Sequence, residues 1–154
     1  MKLDIAGGLE CRRGYINVDR YAVDEGVRAD GLRLPFADSS VDAVNASHYL
    51  EHLPKRMVVY QLTEIYRVMR FGAALDIEVP ELAWVLRNWL KYQDNGWNMD
   101  AIFGDQSTDG QYHKTGFTRQ IMYSYLEAAG FRGTVTVTEK WSHEQNCLCF
   151  SIVK

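Results

Sequence analysis

The stretch KLDIAGGLECRRGYINVD, residues 2–19, decides the fold. Its two strand-like runs, residues 2–6 and 15–19, are joined by a link in which Gly7 and Gly8 are followed only by residues 9–14. A parallel crossover that includes a helix needs at least about 10–12 residues. The stretch therefore predicts two neighbouring strands whose connecting helix is missing or shortened to one turn.

Five further segments have the composition of strands, and turn residues flank each of them. Short turns separate the early ones, helices separate the later ones, and the last two are expected to pair antiparallel. This order is typical of an open, mostly parallel, Rossmann-like α/β sheet. Ligands bind such sheets outside the carboxyl ends of the strands. The five segments are residues 27–30, 41–47, 73–79, 131–138 and 146–153.

Apolar residues recur at helical spacing in three segments. Pro54 suits the first helical position, where its missing N–H is not needed, and Gly72 is expected to cap the end of that helix. Residues 95–117 show no period and predict a loop. The predicted helices start at Pro54, cover about 81–92 with Asn95-Gly96 as the terminator, and run from Thr118 as N-cap to Gly130.

The whole chain has the composition of one globular domain, residues 1–154. Its formal net charge of −3 and its lack of a Lys/Arg block argue against a nucleic-acid partner. No apolar run is long enough to span a bilayer, and a strand begins too early to leave room for a signal peptide. The three cysteines form no disulfide framework, so we expect a cytoplasmic protein.

Small or polar residues follow each early strand: Gly7 and Gly8, then Asp19, then Asp30, then Ser47-His48. Glycines let a ligand approach the backbone closely. A carboxylate after the second strand can accept both ribose hydroxyls, and one after the third can accept the amine of adenine. The alternative is that both aspartates are ordinary turn residues. Because the short link leaves no helix N-terminus for a pyrophosphate, the pattern favours S-adenosylmethionine over a dinucleotide.

Several runs of the chain resemble the class I S-adenosylmethionine-dependent methyltransferases. More narrowly, they are similar to small bacterial methyltransferase-like proteins associated with cell-surface glycan synthesis. The resemblance covers nearly the whole chain and includes the short link before GYINVD. It is carried by LDIAGG (3–8), GYINVD (14–19), LRLPFADSSVDAV (32–44), SHYLEHL (47–53), LTEIYRVMRFGAAL (62–75) and LEAAGF (126–131).

The resemblance implies a seven-stranded sheet with the last strand antiparallel, and a set of cofactor-binding positions. The family has Gly-Cys-Gly where this chain has Ala6-Gly7-Gly8. The methyl group of Ala6 is therefore expected to lie close to the methionine end of the cofactor. The implied cofactor-binding residues are Ala6, Gly7, Gly8, Asp19, Arg20, Asp30, Gly31, Leu32, Ser47 and His48.

The leading functional hypothesis is methyl transfer to a hydroxyl of a small molecule or glycan precursor. His113 or His48 is the candidate general base, although His113 could equally be a loop histidine bonded to backbone. The second hypothesis is a catalytically inactive binding or scaffold module. In that case the sheet face uncovered by the missing helix could accept a partner or a second copy, as in a homodimer.

The run His48-Tyr49-Leu50-Glu51-His52 matches HxxEH, the inverted zinc-peptidase pattern. That pattern needs a long helix and a third ligand, and Pro54 follows closely. Zinc hydrolysis is therefore only a marginal alternative, and no metal site is predicted. His143, in the loop of the last hairpin, is as well suited to a subunit contact as to chemistry.

Overall fold

The computed structural model describes residues 1–9, 11–21, 26–93, 97–143 and 145–154, without the side chains of 97 and 98. These residues form seven strands, four α-helices and one 3₁₀ turn. The strands are β1 (Lys2–Ile5), β2 (Ile16–Asp19), β3 (Gly26–Arg28), β4 (Val41–Ser47), β5 (Met69–Pro80), β6 (Val135–Ser142) and β7 (Gln145–Val153). The 3₁₀ turn is Leu50–His52, and the helices are α1 (Lys55–Val68), α2 (Leu82–Tyr92), α3 (Trp97–Phe103) and α4 (Arg119–Ala128).

All seven strands form one sheet in the order β3-β2-β1-β4-β5-β7-β6. The pairs among β1 to β5 are parallel, whereas β7 runs antiparallel to both β5 and β6. This arrangement confirms the predicted open, mostly parallel, seven-stranded sheet with an inverted last strand. The carboxyl ends of β1 to β5 therefore lie along one edge.

The apolar core lies between one face of the sheet and the helices α1 and α4. Alternate strand residues such as Leu3, Val44 and Leu75 are fully buried there. The sequence predicts an apolar helical face of Val58, Leu62, Ile65 and Met69; the first three are buried on α1, whereas Met69 begins β5. Each large aliphatic side chain removed from water stabilises the fold by about 1.5–3 kcal/mol. The core thus fixes the sheet edge on which the site residues lie.

The opposite face of the sheet carries a polar row where the first crossover helix would otherwise pack. Asp4 is paired with Asn17 on one side and Asn45 on the other, and the row continues to Asp76. Arg12, in the short link, donates its backbone N–H to Asp4 (2.6 Å) and its guanidinium to Asp76 (2.9 Å). No helix is present between β1 and β2 among the described residues, which confirms the missing crossover helix.

This polar row bears on the expectation of a homodimer. That expectation depended on an uncovered apolar sheet face, and the strand centres at this position carry carboxylates and amides. Asp4 is 3% exposed and Asn17 5% exposed, because the link lies over them. The predicted homodimer therefore stays a prediction, without an apolar sheet face to support it in this row.

Two helix ends differ from the sequence-based expectation. Gly72 does not cap α1: the helix ends at Val68, and Gly72 (φ 82°) lies inside β5 beside an irregularity in its pairing with β4. The helix α2 ends at Gln93, whose left-handed conformation forms the cap. The predicted terminator Asn95-Gly96 lies outside the described residues.

The segment 95–117, predicted as a loop, contains the short helix α3 at Trp97–Phe103. At the start of α4 the prediction is confirmed, because the Thr118 side chain accepts the Ile121 N–H (3.3 Å). Gly130 follows that helix with φ 102°, the conformation expected of a C-terminal glycine. No helix in the described part of the chain is long and apolar enough to cross a membrane.

Candidate active site

The turn after β1 brings a glycine backbone against the end of β2. A Cβ on Gly7 would lie 2.9 Å from the side chains of both Asp4 and Asn17, so the packing leaves room only for glycine. Gly8 has φ 57° and donates its backbone N–H to the Asp19 carboxylate (3.2 Å). The predicted pair of small residues and the predicted ribose carboxylate therefore meet at the sheet edge.

The two predicted carboxylates lie at the ends of neighbouring strands. Asp19 is 9% exposed and accepts the Tyr21 N–H (2.7 Å) as well as that of Gly8. Asp30 accepts the Leu32 N–H (3.0 Å) and the Arg20 guanidinium (3.1 Å). Backbone donors thus orient both carboxylates, and a carboxylate oxygen can accept more than one bond. The geometry suits recognition of polar groups on a nucleoside.

A half-buried tyrosine lies next to the third strand end and was missed by the sequence analysis. The Tyr49 hydroxyl would lie 2.5 Å from a Cβ on Gly31, so this residue must stay small. Tyr49 donates to the Gln61 amide oxygen (3.0 Å), and burial raises the pKa of its hydroxyl. Together with Leu32, which packs against the core, Tyr49 forms an apolar wall beside Asp30.

Ala6 adopts a left-handed backbone conformation with φ 56°, which is costly for a residue with a Cβ. Its N–H is held by the Val18 carbonyl (2.8 Å), so pairing with β2 maintains the strain. The Ala6→Gly variant should raise the free energy of unfolding by about 1 kcal/mol. It should also tighten the binding of S-adenosylhomocysteine, because Ala6 is expected to lie close to the methionine end of the cofactor.

The matched control for Ala6→Gly is Ser39→Gly. Ser39 has φ 54° and lies in an exposed turn before β4, away from the strand ends. The control should gain similar stability in a denaturant titration and leave the ligand affinity unchanged. Equal affinity in the wild type and Ala6→Gly would remove Ala6 from the set of residues near the cofactor.

His48 follows β4 and is held between two carboxylates. Its Nδ1 lies 3.1 Å from Glu51 Oε1, and its Nε2 lies 3.3 Å from Glu78 Oε1 and 3.8 Å from Cys147 Sγ. Burial alone would lower the pKa of His48, but the contacts with Cys147, Glu51 and Glu78 outweigh it and raise the pKa to about 11. His48 therefore carries a proton at neutral pH, and this protonation favours His113 over His48 as the general base.

Glu78 is the carboxylate on the other side of His48. It pairs directly with Ser47 where β5 lies beside β4. The hydrogen bond with His48, reinforced by Lys140 (Nζ to Oε2, 2.9 Å), lowers the pKa of Glu78 to about 2. Ser47 is the last residue of β4 and is partly exposed. The predicted pair Ser47-His48 thus sits at the sheet edge next to a fixed negative charge.

All four histidines of the chain line one cavity of about 280 Å³ beside these strand ends. The rings of His48 and His143 lie 4.4 Å apart, and those of His52 and His113 lie 4.9 Å apart. We call this cavity the histidine pocket. It is lined by the four histidines together with Glu51, Asp100, Ala101, Gly104, Asp105, Gln111 and Gln145.

The histidine pocket combines residues that sequence reasoning kept apart. For His113 the alternatives were a general base and a loop histidine bonded to backbone. Its Nδ1 lies 3.1 Å from the Ala101 carbonyl, and its side chain also lines the cavity, so the geometry is compatible with either role. His143, for which a subunit contact and a chemical role were both considered, lies with its ring next to that of His48. A separate cavity of about 410 Å³, lined in part by Lys55, Lys114 and Tyr125, includes none of the predicted site residues.

The comparisons with known proteins agree with this geometry. Residues 8–76 match the family model of a methyltransferase domain, which spans the strand ends from Gly8 to His48. No curated protein sequence matches the chain. A solved S-adenosylmethionine-dependent methyltransferase from Methanosarcina mazei is 19% identical, with a TM-score of 0.69 over 99% of this chain and 90% of that one.

Two further solved structures share the fold. An S-adenosylmethionine-dependent methyltransferase from Archaeoglobus fulgidus is 18% identical, with a TM-score of 0.69 over 99% of this chain and 85% of that one. The 1,6-didemethyltoxoflavin N1-methyltransferase of Burkholderia thailandensis is 15% identical, with a TM-score of 0.66 over 99% and 70%. The shared fold bears out the predicted Rossmann-like sheet, and the domain match over residues 8–76 is in keeping with the predicted methyltransferase class.

Proposed function

We propose that this protein is an S-adenosylmethionine-dependent methyltransferase that acts on a hydroxyl of a small molecule or glycan precursor. One observation carries the proposal: the row Gly8, Asp19 and Asp30 lies on the same sheet edge as the histidine pocket. The row supplies a backbone turn and two oriented carboxylates for a nucleoside. The pocket supplies polar groups for a second molecule.

The cofactor assignment is supported by what the first link does and does not contain. Residues 11–15 contain a turn at 13–14 and no helix, so no helix N-terminus is available there for a pyrophosphate, whereas S-adenosylmethionine carries no phosphate. The Burkholderia thailandensis relative was solved with S-adenosylhomocysteine, the product of that cofactor. In our proposal Asp19 accepts the ribose hydroxyls, Asp30 accepts the adenine amine in place of Arg20, and Leu32 and Tyr49 flank the base.

The reaction is a displacement at the sulfonium methyl group. The acceptor oxygen forms a bond to the methyl carbon while the carbon–sulfur bond breaks, and its electron pair returns to sulfur as S-adenosylhomocysteine leaves. The acceptor proton passes to a base, for which His113 is the better placed candidate. Holding donor and acceptor in line supplies much of the rate, since effective molarities for aligned reactants reach about 10⁵–10⁸ M.

A polar acceptor fits the histidine pocket better than an apolar one. The walls offer imidazoles, carboxylates and the amides of Gln111 and Gln145. The Gln145 side-chain oxygen is buried, with no hydrogen-bond partner among the residues that the structure describes. Such groups favour a molecule with several hydroxyls, as in sugar precursors.

The three cysteines are free, in keeping with a cytoplasmic site of action.

A methyl-transfer assay tests the proposal. The protein is incubated with S-adenosylmethionine and a panel of sugar and nucleotide-sugar hydroxyl acceptors, and mass spectrometry follows S-adenosylhomocysteine and methylated acceptor together. We expect the two products to appear in equal amounts for at least one polyhydroxylated acceptor. Cofactor binding without turnover on any acceptor would favour the scaffold alternative, to which the left-handed Ala6 and the Arg20–Asp30 pair lend specific support.

A further inference from the structure

We propose that Glu51, His52 and His113 bind a divalent transition-metal ion of the Zn²⁺ class at the floor of the histidine pocket. Each residue offers one ligand atom, and the three atoms lie within 4.8 Å of one another. Two imidazoles and one carboxylate form a common ligand set for zinc and for other first-row divalent ions. The site is independent of the cofactor-binding row described above.

The Glu51 carboxylate is the strongest single observation for this site. Glu51 is 1% exposed, and its Oε1 is held by His48. Its second oxygen, Oε2, is buried without a hydrogen-bond partner in the described part of the chain. A buried carboxylate oxygen without a partner is costly, and a bound cation removes that cost.

Both histidines hold their other ring nitrogen against a backbone carbonyl. His52 Nδ1 lies 3.3 Å from the Tyr112 oxygen, and His113 Nδ1 lies 3.1 Å from the Ala101 oxygen. A carbonyl only accepts, so each Nδ1 donates its hydrogen to the backbone, and Nε2 is the ring nitrogen left to face an ion. Metal-binding histidines are typically oriented by such a carbonyl contact on the second nitrogen.

The backbone ties the three residues together across a long stretch of sequence. The N–H groups of Lys114 (2.7 Å) and Thr115 (3.1 Å) both donate to the Glu51 carbonyl. The Thr115 hydroxyl donates to the Leu53 carbonyl (2.7 Å). His113 is therefore fixed beside the 3₁₀ turn that carries Glu51 and His52, and it supplies the third ligand that the HxxEH run lacks by itself.

The first histidine of that run is not part of the proposed site. His48 lies between Glu51 and Glu78, and its two ring nitrogens are 3.1 Å and 3.3 Å from their carboxylate oxygens, so both are already engaged. The supporting element is a single 3₁₀ turn, not the long helix that a zinc peptidase requires. The HxxEH run can therefore contribute two metal ligands without the helical geometry that zinc-peptidase chemistry requires.

Three protein ligands leave at least one position on the ion open toward the cavity. If the proposed methyl transfer is correct, that position suits the acceptor oxygen. The bound hydroxyl then gives up its proton to solvent at a lower pKa, and the oxygen attacks the methyl group as its bond to sulfur breaks. His113 acts as a ligand in that case, not as a free base. Only this last step rests on the proposed function.

Titration of the metal-free protein with Zn²⁺, and with Co²⁺ followed by visible absorption, tests the site without any cofactor. We expect one ion per chain. Glu51→Gln and His113→Asn should each weaken Zn²⁺ binding by at least about 100-fold, because loss of even an outer-shell partner costs about 10–100-fold. Circular dichroism and thermal unfolding check that each variant folds.

The matched control is His143→Asn. His143 lines the same cavity and touches His48, but it is not among the three ligands, and asparagine tolerates its left-handed backbone (φ 48°). This variant should bind Zn²⁺ within about 3-fold of wild type, well inside the loss expected for a ligand. Absence of Zn²⁺ and Co²⁺ binding, or unchanged binding in His113→Asn, would overturn the proposal. Because S-adenosylhomocysteine binding is measured separately, either result leaves the proposed function to its own test.

Discussion

The Asp19→Ala variant should lose at least about 100-fold in affinity for S-adenosylhomocysteine. In the proposed complex the carboxylate accepts two ribose hydroxyls, and a hydrogen bond to a charged group contributes about 1.5–3 kcal/mol. Asp19 is nearly buried, and two backbone N–H groups already orient it, so binding requires little reorganisation. Calorimetric titration of both proteins measures the difference.

Two controls separate ligand contact from structural damage. Asp19→Asn keeps the shape and one acceptor oxygen, so its affinity should fall between those of wild type and Asp19→Ala. Asp38→Asn removes an exposed carboxylate that pairs with Arg67, far from the strand ends, and should leave the affinity unchanged. If a folded Asp19→Ala protein bound as tightly as wild type, the ribose assignment would be wrong.

The Gly104→Ala variant should open the histidine pocket. Gly104 has φ 80°, and a Cβ there would lie 1.8 Å from the Gln111 carbonyl oxygen, which is backbone and cannot move aside alone. The two chain segments must separate, and the His113 N–H bond to the Phe103 carbonyl (2.9 Å) breaks with them. We expect a loss of about 3 kcal/mol in local or global stability.

Hydrogen exchange at the His113 amide, together with thermal unfolding, measures this loss. Gly110→Ala is the control from the same loop, since the nearest atom to its added Cβ would be 3.8 Å away. That variant should leave both exchange and unfolding near wild type. Unchanged protection of the His113 amide in Gly104→Ala would mean that the close crossing of residues 104 and 111 does not hold the pocket together.

The sheet was predictable because local sequence and global fold agree in this part of the chain. Each early strand is short and is followed within two residues by a small or polar side chain, and the short link excludes a helix by its length alone. What the link does instead was not predictable. The Asp4–Arg12–Asp76 contacts join three segments distant in sequence, and an isolated Asp in a strand gives no sign of its partner.

The helix boundaries show the same limit. Glycine is a typical helix cap, and Gly72 follows the apolar helical pattern. However, β5 begins directly after α1, so the positive φ of Gly72 lies in an irregular part of the β4–β5 pairing. The helix α3 was missed because it is short and lies in a segment rich in Gly and Asp. In both cases tertiary packing decides between conformations that local propensity leaves nearly equal.

The candidate site divides in the same way. Gly8, Asp19 and Asp30 follow directly from strand order, since parallel strands end at one edge. The histidine pocket could not be predicted in this way, because its histidines come from three separate segments. One segment carries His48 and His52, the second His113 and the third His143. One hint of this pocket was visible in the sequence: the chain has only four histidines, and such a small set can share one site. Glu51 and Tyr49 gave no such signal, as their roles depend on burial.

The most direct test of the account is a calorimetric titration of the folded wild-type protein with S-adenosylhomocysteine. The carboxylates after β2 and β3 and the glycine turn after β1 form the predicted nucleoside site, and the proposed methyl transfer cannot stand without it. We predict saturable binding at one site per chain, abolished or strongly weakened in Asp19→Ala. No heat at high protein concentration, with native folding confirmed by circular dichroism, would contradict the assignment of this sheet edge to the cofactor.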